Sequence, residues 1–191
     1  MELRRLRLAA SQIAVRTSRH LPEPRSVLLA PEDLAPGWRV LDERRWRTGS
    51  GKEPWAVRVR ELGGVTAWRS FVASSNDRWL WVQASPLANV EDAQAALEAF
   101  WSNRLKNLAA QVSVTATRDG PDMTLSGGSV KTVEQLTTGP VGPGTSRYLA
   151  WTHGRVVSAL AGSAFGEPWP WQSLEEVASK QNRRIDAVIH Q

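Results

Sequence analysis

The chain has 191 residues, 24 Lys and Arg against 19 Asp and Glu for a formal net charge of +5, ten Trp and no Cys. That length supports one domain with a sizeable core and is short for two domains with a linker. The absence of cysteine excludes disulfides, thiolate-bound zinc, iron–sulfur clusters, a thiol nucleophile and an acylated lipoprotein cysteine.

The charge is unevenly placed. Residues 1–25 carry Arg4, Arg5, Arg7, Arg16, Arg19 and Arg25 against Glu2 and Glu23, so most of the net charge belongs to a basic arm. The body over residues 26–191 is close to neutral, which argues against nucleic acid as its partner; an arm contact with nucleic acid or an anionic membrane is the lesser alternative. Leu3, Leu6, Ala10 and Ile13 predict a short helix in the arm. Residues 8–15, interrupted by Ser11 and Gln12, are too short and polar for a membrane span or a signal-peptide core. As the sequence stands, a cytoplasmic protein is expected, with the cell envelope the alternative if a leader precedes Met1.

Pro22 and Pro24 end the arm helix, and residues 28–38 read as an irregular segment bent at Pro31 and Pro36. Strands are expected over 40–46 and 55–62, separated by the turn-rich 48–52. A clearer unit follows at about 66–108. Strands over 67–73 and 79–84 flank Ser74-Ser75-Asn76-Asp77. A helix follows, capped by Asn89, with Val90, Ala93, Leu97, Trp101, Leu105 and Leu108 on one stripe. Residues 111–117 and 130–136 predict further strands, with a turn at Asp119-Gly120-Pro121-Asp122 and a loop over 139–144.

A second unit of the same order occupies about 145–191. Strands over 147–152 and 155–160 turn at His153-Gly154. A helix from Ser173, with Glu176 completing a capping box, lines Leu174, Val177, Ala178, Ile185, Val188 and Ile189 on its inner face. Two such units side by side predict one α+β domain, an antiparallel sheet with helices packed on it.

Catalytic patterns are sparse. Gly49-Ser50-Gly51-Lys52-Glu53 lacks the upstream glycine and following hydroxyl of a P-loop, and the 139–144 loop places prolines where a phosphate needs N–H donors. His20, His153 and His190 have no metal spacing, and Gly162-Ser163-Ala164-Phe165-Gly166 puts its serine one place early for a nucleophile elbow. No catalytic residue, metal ligand or cofactor is assigned. His153 is first a turn residue and only in a minority reading the base of a hydrolase. Glu91-Asp92 and Glu175-Glu176 read as first-turn helix charges.

Two features point to binding. Gln181 falls on the apolar stripe of the second helix, where an amide must find partners or line a cavity. Trp79 and Trp81 share one strand face, and Trp169 and Trp171 sit in a rigid Pro-Trp-Pro-Trp segment; Trp68, Trp101 and Trp151 are expected in the core.

Arg155-Val156-Val157-Ser158-Ala159-Leu160, with residues 174–185 (LEEVASKQNRRI), resembles the ends of small exported actinobacterial proteins, including lipoproteins and sensor-type extracellular domains of serine/threonine kinases. Leu28-Leu29 and Asp33-Leu34-Ala35-Pro36-Gly37-Trp38 are similar to the segment opening such domains. The resemblance implies an antiparallel sheet with helices, in a Mog1/PsbP-like arrangement, and a binding or sensing role. A leader and an acylated cysteine, which that pattern carries, are not expected from the sequence as it stands. Together these readings predict a non-enzymatic domain that engages a small apolar molecule or a protein, a second copy included. Its expected site is a concave face bounded by Trp79, Trp81, Trp169 and Trp171, with Gln181 as a polar contact.

Overall fold

The computed structural model describes residues 21–46, 54–111, 113–126, 128–139 and 142–189. The expected arm helix, the turn at 48–52, His20 and His190 lie outside them. A 3-10 turn at Pro31–Asp33 leads into β1 (Trp38–Trp46), α1 (Pro54–Glu61), β2 (Thr66–Ala73), β3 (Arg78–Pro86) and α2 (Val90–Gln111). Then come β4 (Ser113–Asp119), β5 (Met123–Leu125), β6 (Gly128–Gly139), β7 (Gly142–His153), β8 (Val156–Phe165) and α3 (Trp171–Ile189). The strands form one antiparallel sheet in the order β1-β2-β3-β8-β7-β6-β4, with β5 beside β6.

The two hairpins predicted from the sequence, β2–β3 and β7–β8, meet where β3 pairs with β8 from Arg78↔Ala164 to Pro86↔Val156. Each following helix is then directed to a different layer. On β8, Val157 and Ala159 pack under Ala93, Ala96, Leu97 and Phe100 of α2, whereas Val156, Leu160 and Ala164 pack under Leu174, Val177, Ala178 and Ile185 of α3. Successive strand side chains point to opposite faces, so the sheet separates two cores. The α3 side is completed by Val27, Leu28 and Leu29 of the N-terminal segment. Arg69 on β2 binds Glu43 on β1 at 2.6 Å and donates to the carbonyl of Leu29; Arg147 on β7 binds Glu134 on β6 at 2.7 Å and donates to the carbonyl of Trp169.

Residues 55–62 are not a strand. Trp55, Ala56 and Val59 are buried at helical spacing in α1, and the Val-Arg-Val-Arg alternation is incidental to it. Pro54 opens the helix, where its missing N–H costs nothing. Gly63, at φ +76°, closes it with bonds from Gly63 N to Arg60 O and from Gly64 N to Val59 O, the paired pattern of a glycine-terminated helix.

Three smaller expectations also change. The 119–122 turn does not reverse the chain: β4 and β5 pair with consecutive stretches of β6, so Gly120-Pro121-Asp122 interrupts one edge. The 139–144 loop is a tight hairpin with Gly139 paired to Gly142. Helix α3 starts at Trp171 with the Leu174 N–H on the Pro170 carbonyl, which leaves Ser173 and Glu176 inside the helix, not in a capping box, and Glu175-Glu176 past its first turn. At α2 the expected cap forms, with Asn89 Oδ1 accepting the Asp92 N–H at 2.7 Å; Val90, expected on the inner stripe, is half exposed, and the Leu105 and Leu108 side chains lie outside those described. Trp151 is in the core and donates to Asn182 Oδ1 at 2.8 Å, while Trp68 and Trp101 are half-buried.

Candidate ligand-binding face

The period-2 geometry of β3 puts Trp79, Trp81 and Gln83 on the α2 side of the sheet. Their cross-strand partners on β2 are Val72, Ser70 and Trp68, and those on β8 are Ser163, Ala161 and Ala159. Helices α1 and α2 cover one end of this face, over Ala150, Val157 and Ala159. Toward the other end Trp68, Ser70, Trp79 and Trp81 are half-buried, and Phe165 meets Trp79 edge-on at 5.1 Å. The Arg44 guanidinium stands over Trp68 at 5.8 Å from the ring centre. The result is a floor of indole rings bordered by two helices.

At its inner end lies an unusual polar group. Gln83 has no solvent exposure, and neither its Nε2 nor its Oε1 has a hydrogen-bond partner. Trp68 Nε1, on the residue directly opposite, is also buried and unpaired. Each such group costs on the order of 1–3 kcal/mol, and native interiors rarely leave them so. On the other side of the sheet Gln181 Nε2 donates to the Gln83 carbonyl at 3.1 Å and approaches Ser158 Oγ at 3.4 Å, while its Oε1 is unpaired. The buried, unpaired side-chain polar atoms found among the described residues therefore gather around one position, Gln83.

The five residues expected to share a site are divided by the sheet. Trp79 and Trp81 floor the α2 side; Trp169, Trp171 and Gln181 belong to the α3 side. A single concave face bounded by all four tryptophans does not form, because Trp169 packs on Gly162, a position of opposite parity to Ser163, the cross-strand partner of Trp79. Trp169 is nearly buried, with its ring 5.3 Å from Trp38 and its Nε1 donating to the Ser163 carbonyl at 3.2 Å. Trp171 begins α3 under the Arg147 guanidinium, 5.0 Å away. Gln181 bonds to a neighbouring strand, the simpler of its two expected roles. Gln83 and Trp68 were visible as neighbours in no motif, although the alternation of residues 79–84 does place Gln83 on the tryptophan face.

His153 ends β7, and its Nε2 lies 2.6 Å from Asp186 Oδ1 on α3. A histidine–carboxylate pair thus exists, but among the described hydrogen bonds no serine hydroxyl reaches the ring. A shallow depression of about 530 Å³ on the α3 side is lined by Glu32, Asp33, Lys180, Arg183, Arg184 and Ala187. Two of its cations are engaged: Arg184 binds Glu32 at 2.9 Å and also Asp33, and Lys180 donates to the Asp33 carbonyl at 2.6 Å. Burial disfavours the Arg184 charge, but the bonds it donates to Asp33 and Glu32 outweigh this and raise its pKa. These contacts latch the N-terminal segment onto α3. Among the described residues no group of three His, Cys, Asp or Glu side chains is placed to hold a metal ion.

Comparison with solved structures places this fold. The chain is similar to the extracellular domain of PknH from Mycobacterium tuberculosis, with a TM-score of 0.54 at 10% identity, covering 90% of this chain and 100% of that one. It is also similar to an uncharacterised protein from Mycobacterium smegmatis, at 7% identity and a TM-score of 0.48, covering 88% of this chain and 97% of that one. At such identities the likeness concerns the fold. No protein-family model and no curated protein matches the sequence. Among the described residues no helix is long and apolar enough to cross a membrane.

Proposed function

We propose that this protein is a non-enzymatic binding domain of the cell envelope, taking a small, largely apolar molecule on the tryptophan-floored α2 side of its sheet. The observation that carries the reading is the row of Trp68, Trp79 and Trp81, half-buried side by side where α1 and α2 leave the sheet face partly open. Large rings held on strands supply apolar contact at little cost in side-chain entropy, as binding surfaces require. The envelope location and the sensing role draw support from the fold shared with an extracellular domain. Of the residues expected to bind, Trp79 and Trp81 fill the contact role; Trp169, Trp171 and Gln181 support the opposite layer.

Native mass spectrometry of the protein as purified, followed by a thermal-shift screen of apolar compounds, tests this reading. A binder should alter tryptophan fluorescence, and the Trp79→Ala/Trp81→Ala double variant should lose the response while remaining folded. Absence of any bound species or any hit, or a hit indifferent to both substitutions, would reject it. A protein partner, which the same face would suit, then becomes the reading to pursue. The hydrolase alternative has the His153–Asp186 pair in its favour and no bonded nucleophile to complete it; the pair ties the β7–β8 turn to α3.

A further inference from the structure

We propose that Gln83 and Trp68 form the inner end of a site for a neutral ligand that presents an amide-like edge, an N–H beside a C=O, on an otherwise apolar body. The proposal rests on the reading of the tryptophan face as a binding surface and gives that surface a chemistry.

The first step is the hydrogen-bond inventory. Gln83 offers two N–H donors and one acceptor oxygen, all unpaired, and Trp68 adds one indole N–H from the paired position on β2. Residues directly opposite on antiparallel strands hold their Cβ atoms about 5 Å apart, so one ligand can reach both groups. A primary amide displays a donor next to an acceptor, and its best complement is another amide edge. That leaves the Trp68 N–H for a second oxygen on the same ligand.

The second step is charge. Within the sheet, the residues flanking Gln83 on this face are Trp68 and Ala159 across the strands, and Trp81 and Ser85 along β3, and the buried helix residues packed over Ala159 are Trp55, Ala56, Val59, Ala93, Ala96, Leu97 and Phe100. None of these is ionisable. A carboxylate or ammonium carried to this depth would lose its water and gain no counter-ion, an outcome that costs far more than the hydrogen bonds return. The neighbouring cation, Arg44, lies on the outer side of Trp68, is largely exposed, and already binds Asp42 at 3.2 Å. The ligand is therefore neutral where it meets Gln83.

The third step is shape. Trp81 and Trp79 continue outward from Gln83 along the same face of β3, so an apolar body lies over them while the polar edge enters between Trp68 and Trp81. The strand beneath is held from behind: Gln181 Nε2 fixes the Gln83 carbonyl at 3.1 Å. This leaves the Gln83 side chain, not its backbone, to answer to the ligand.

The test uses the full chain, isotopically labelled, with uracil as probe because it has the amide edge and a second carbonyl; propionate and ethylammonium serve as charged controls. The Trp68 indole N–H signal, identified with Trp68→Phe, and the Gln83 side-chain amide pair should both shift with uracil. The charged controls should bind at least about tenfold more weakly, the factor expected for one buried hydrogen bond and more. Gln83→Met should abolish the response while the indole signals of Trp55 and Trp151 stay in place, showing an intact fold. Propionate binding as well as uracil overturns the proposal. So does a Trp68 N–H that contacts only water and ignores uracil, which would mark a closed hydration site. If uracil is silent but decanol still moves the Trp79 and Trp81 signals, the amide chemistry falls and the binding face stands; silence from both rejects both.

Discussion

Arg69 and Arg147 occupy corresponding places about a local two-fold axis that passes through the Trp81–Ala161 pair at the centre of the sheet. Counting outward from that pair, Val82 corresponds to Gly162, Arg69 to Arg147 and Glu43 to Glu134. Each arginine binds the glutamate of the next strand outward and donates to a carbonyl of the segment crossing the α3 side, Leu29 in one half and Trp169 in the other. The helices do not follow this symmetry. An axis normal to the sheet keeps each face on itself, yet α2 and α3 pack on opposite faces. The correspondence thus extends over three strands and one arginine clamp in each half and stops there.

Removing one partner of such a clamp strands the other. The Arg147–Glu134 side chains are 16% and 15% exposed, so Arg147→Met leaves a mostly buried carboxylate without its cation and should destabilise the protein by about 3 kcal/mol in urea unfolding. The double variant Arg147→Met/Glu134→Gln should recover part of that loss. Arg69→Met should cost less, because Glu43 keeps Arg25 at 3.2 Å. Equal costs for the two arginines would contradict this account.

Close approach of β8 to the α3 layer sets a second expectation. A Cβ on Gly162 would lie 2.6 Å from Leu174 Cδ2 and 3.0 Å from Trp169 Cγ. Gly162→Ala should therefore cost about 1–3 kcal/mol by overpacking, with altered Trp169 fluorescence. Gly142→Ala makes a useful contrast, since nothing lies within 4 Å of its Cβ and the penalty there comes from its φ of +109° alone.

Gln83 yields an expectation about stability without ligand. Replacing an unpaired buried amide by an apolar side chain of similar length removes two orphan groups, so Gln83→Met should raise stability by about 1–2 kcal/mol. A polar group that weakens the fold where it stands is the pattern of a functional residue. A decrease in stability would mean that Gln83 is satisfied by water in solution.

One pH effect has a definite sign. The Ser75 hydroxyl, donating to Asp77, holds that carboxyl below its ordinary pKa, against the smaller opposing effect of desolvation. A lowered carboxylate pKa favours the folded state above the unfolded value, and the benefit is lost as pH falls through the folded one. Ser75→Ala should raise the Asp77 pKa in a side-chain NMR titration and reduce the acid sensitivity of the β2–β3 turn; an unchanged titration would dismiss the hydroxyl as the cause.

Regular alternation and helical spacing made most of the strands, α2 and α3 legible, because those patterns reflect which side of each element is buried. Helix α1 was hidden by Val57 and Val59 alternating with arginines, although Pro54 before it and Gly63-Gly64 after it are the stronger signals. The site was half legible. Period 2 paired Trp79 with Trp81, but which side of the sheet the Pro-Trp-Pro-Trp segment crosses depends on its packing against Gly162 and Arg147, contacts no local pattern encodes. The unpaired state of Gln83 depends in the same way on Trp68, fifteen residues earlier, and on two helices that approach without offering a partner.

The composition of β8 has a consequence for where this architecture has room to change. Residues 156–162 are buried without interruption, and Ala159, Ala161, Gly162 and Ala164 keep the strand thin between two layers. Larger side chains there would push against α2 on one side or α3 on the other. Space for new recognition chemistry is consequently found away from the middle, on the parts of β2 and β3 that α1 and α2 leave partly uncovered, where Trp68, Trp79 and Trp81 have the freedom to be large.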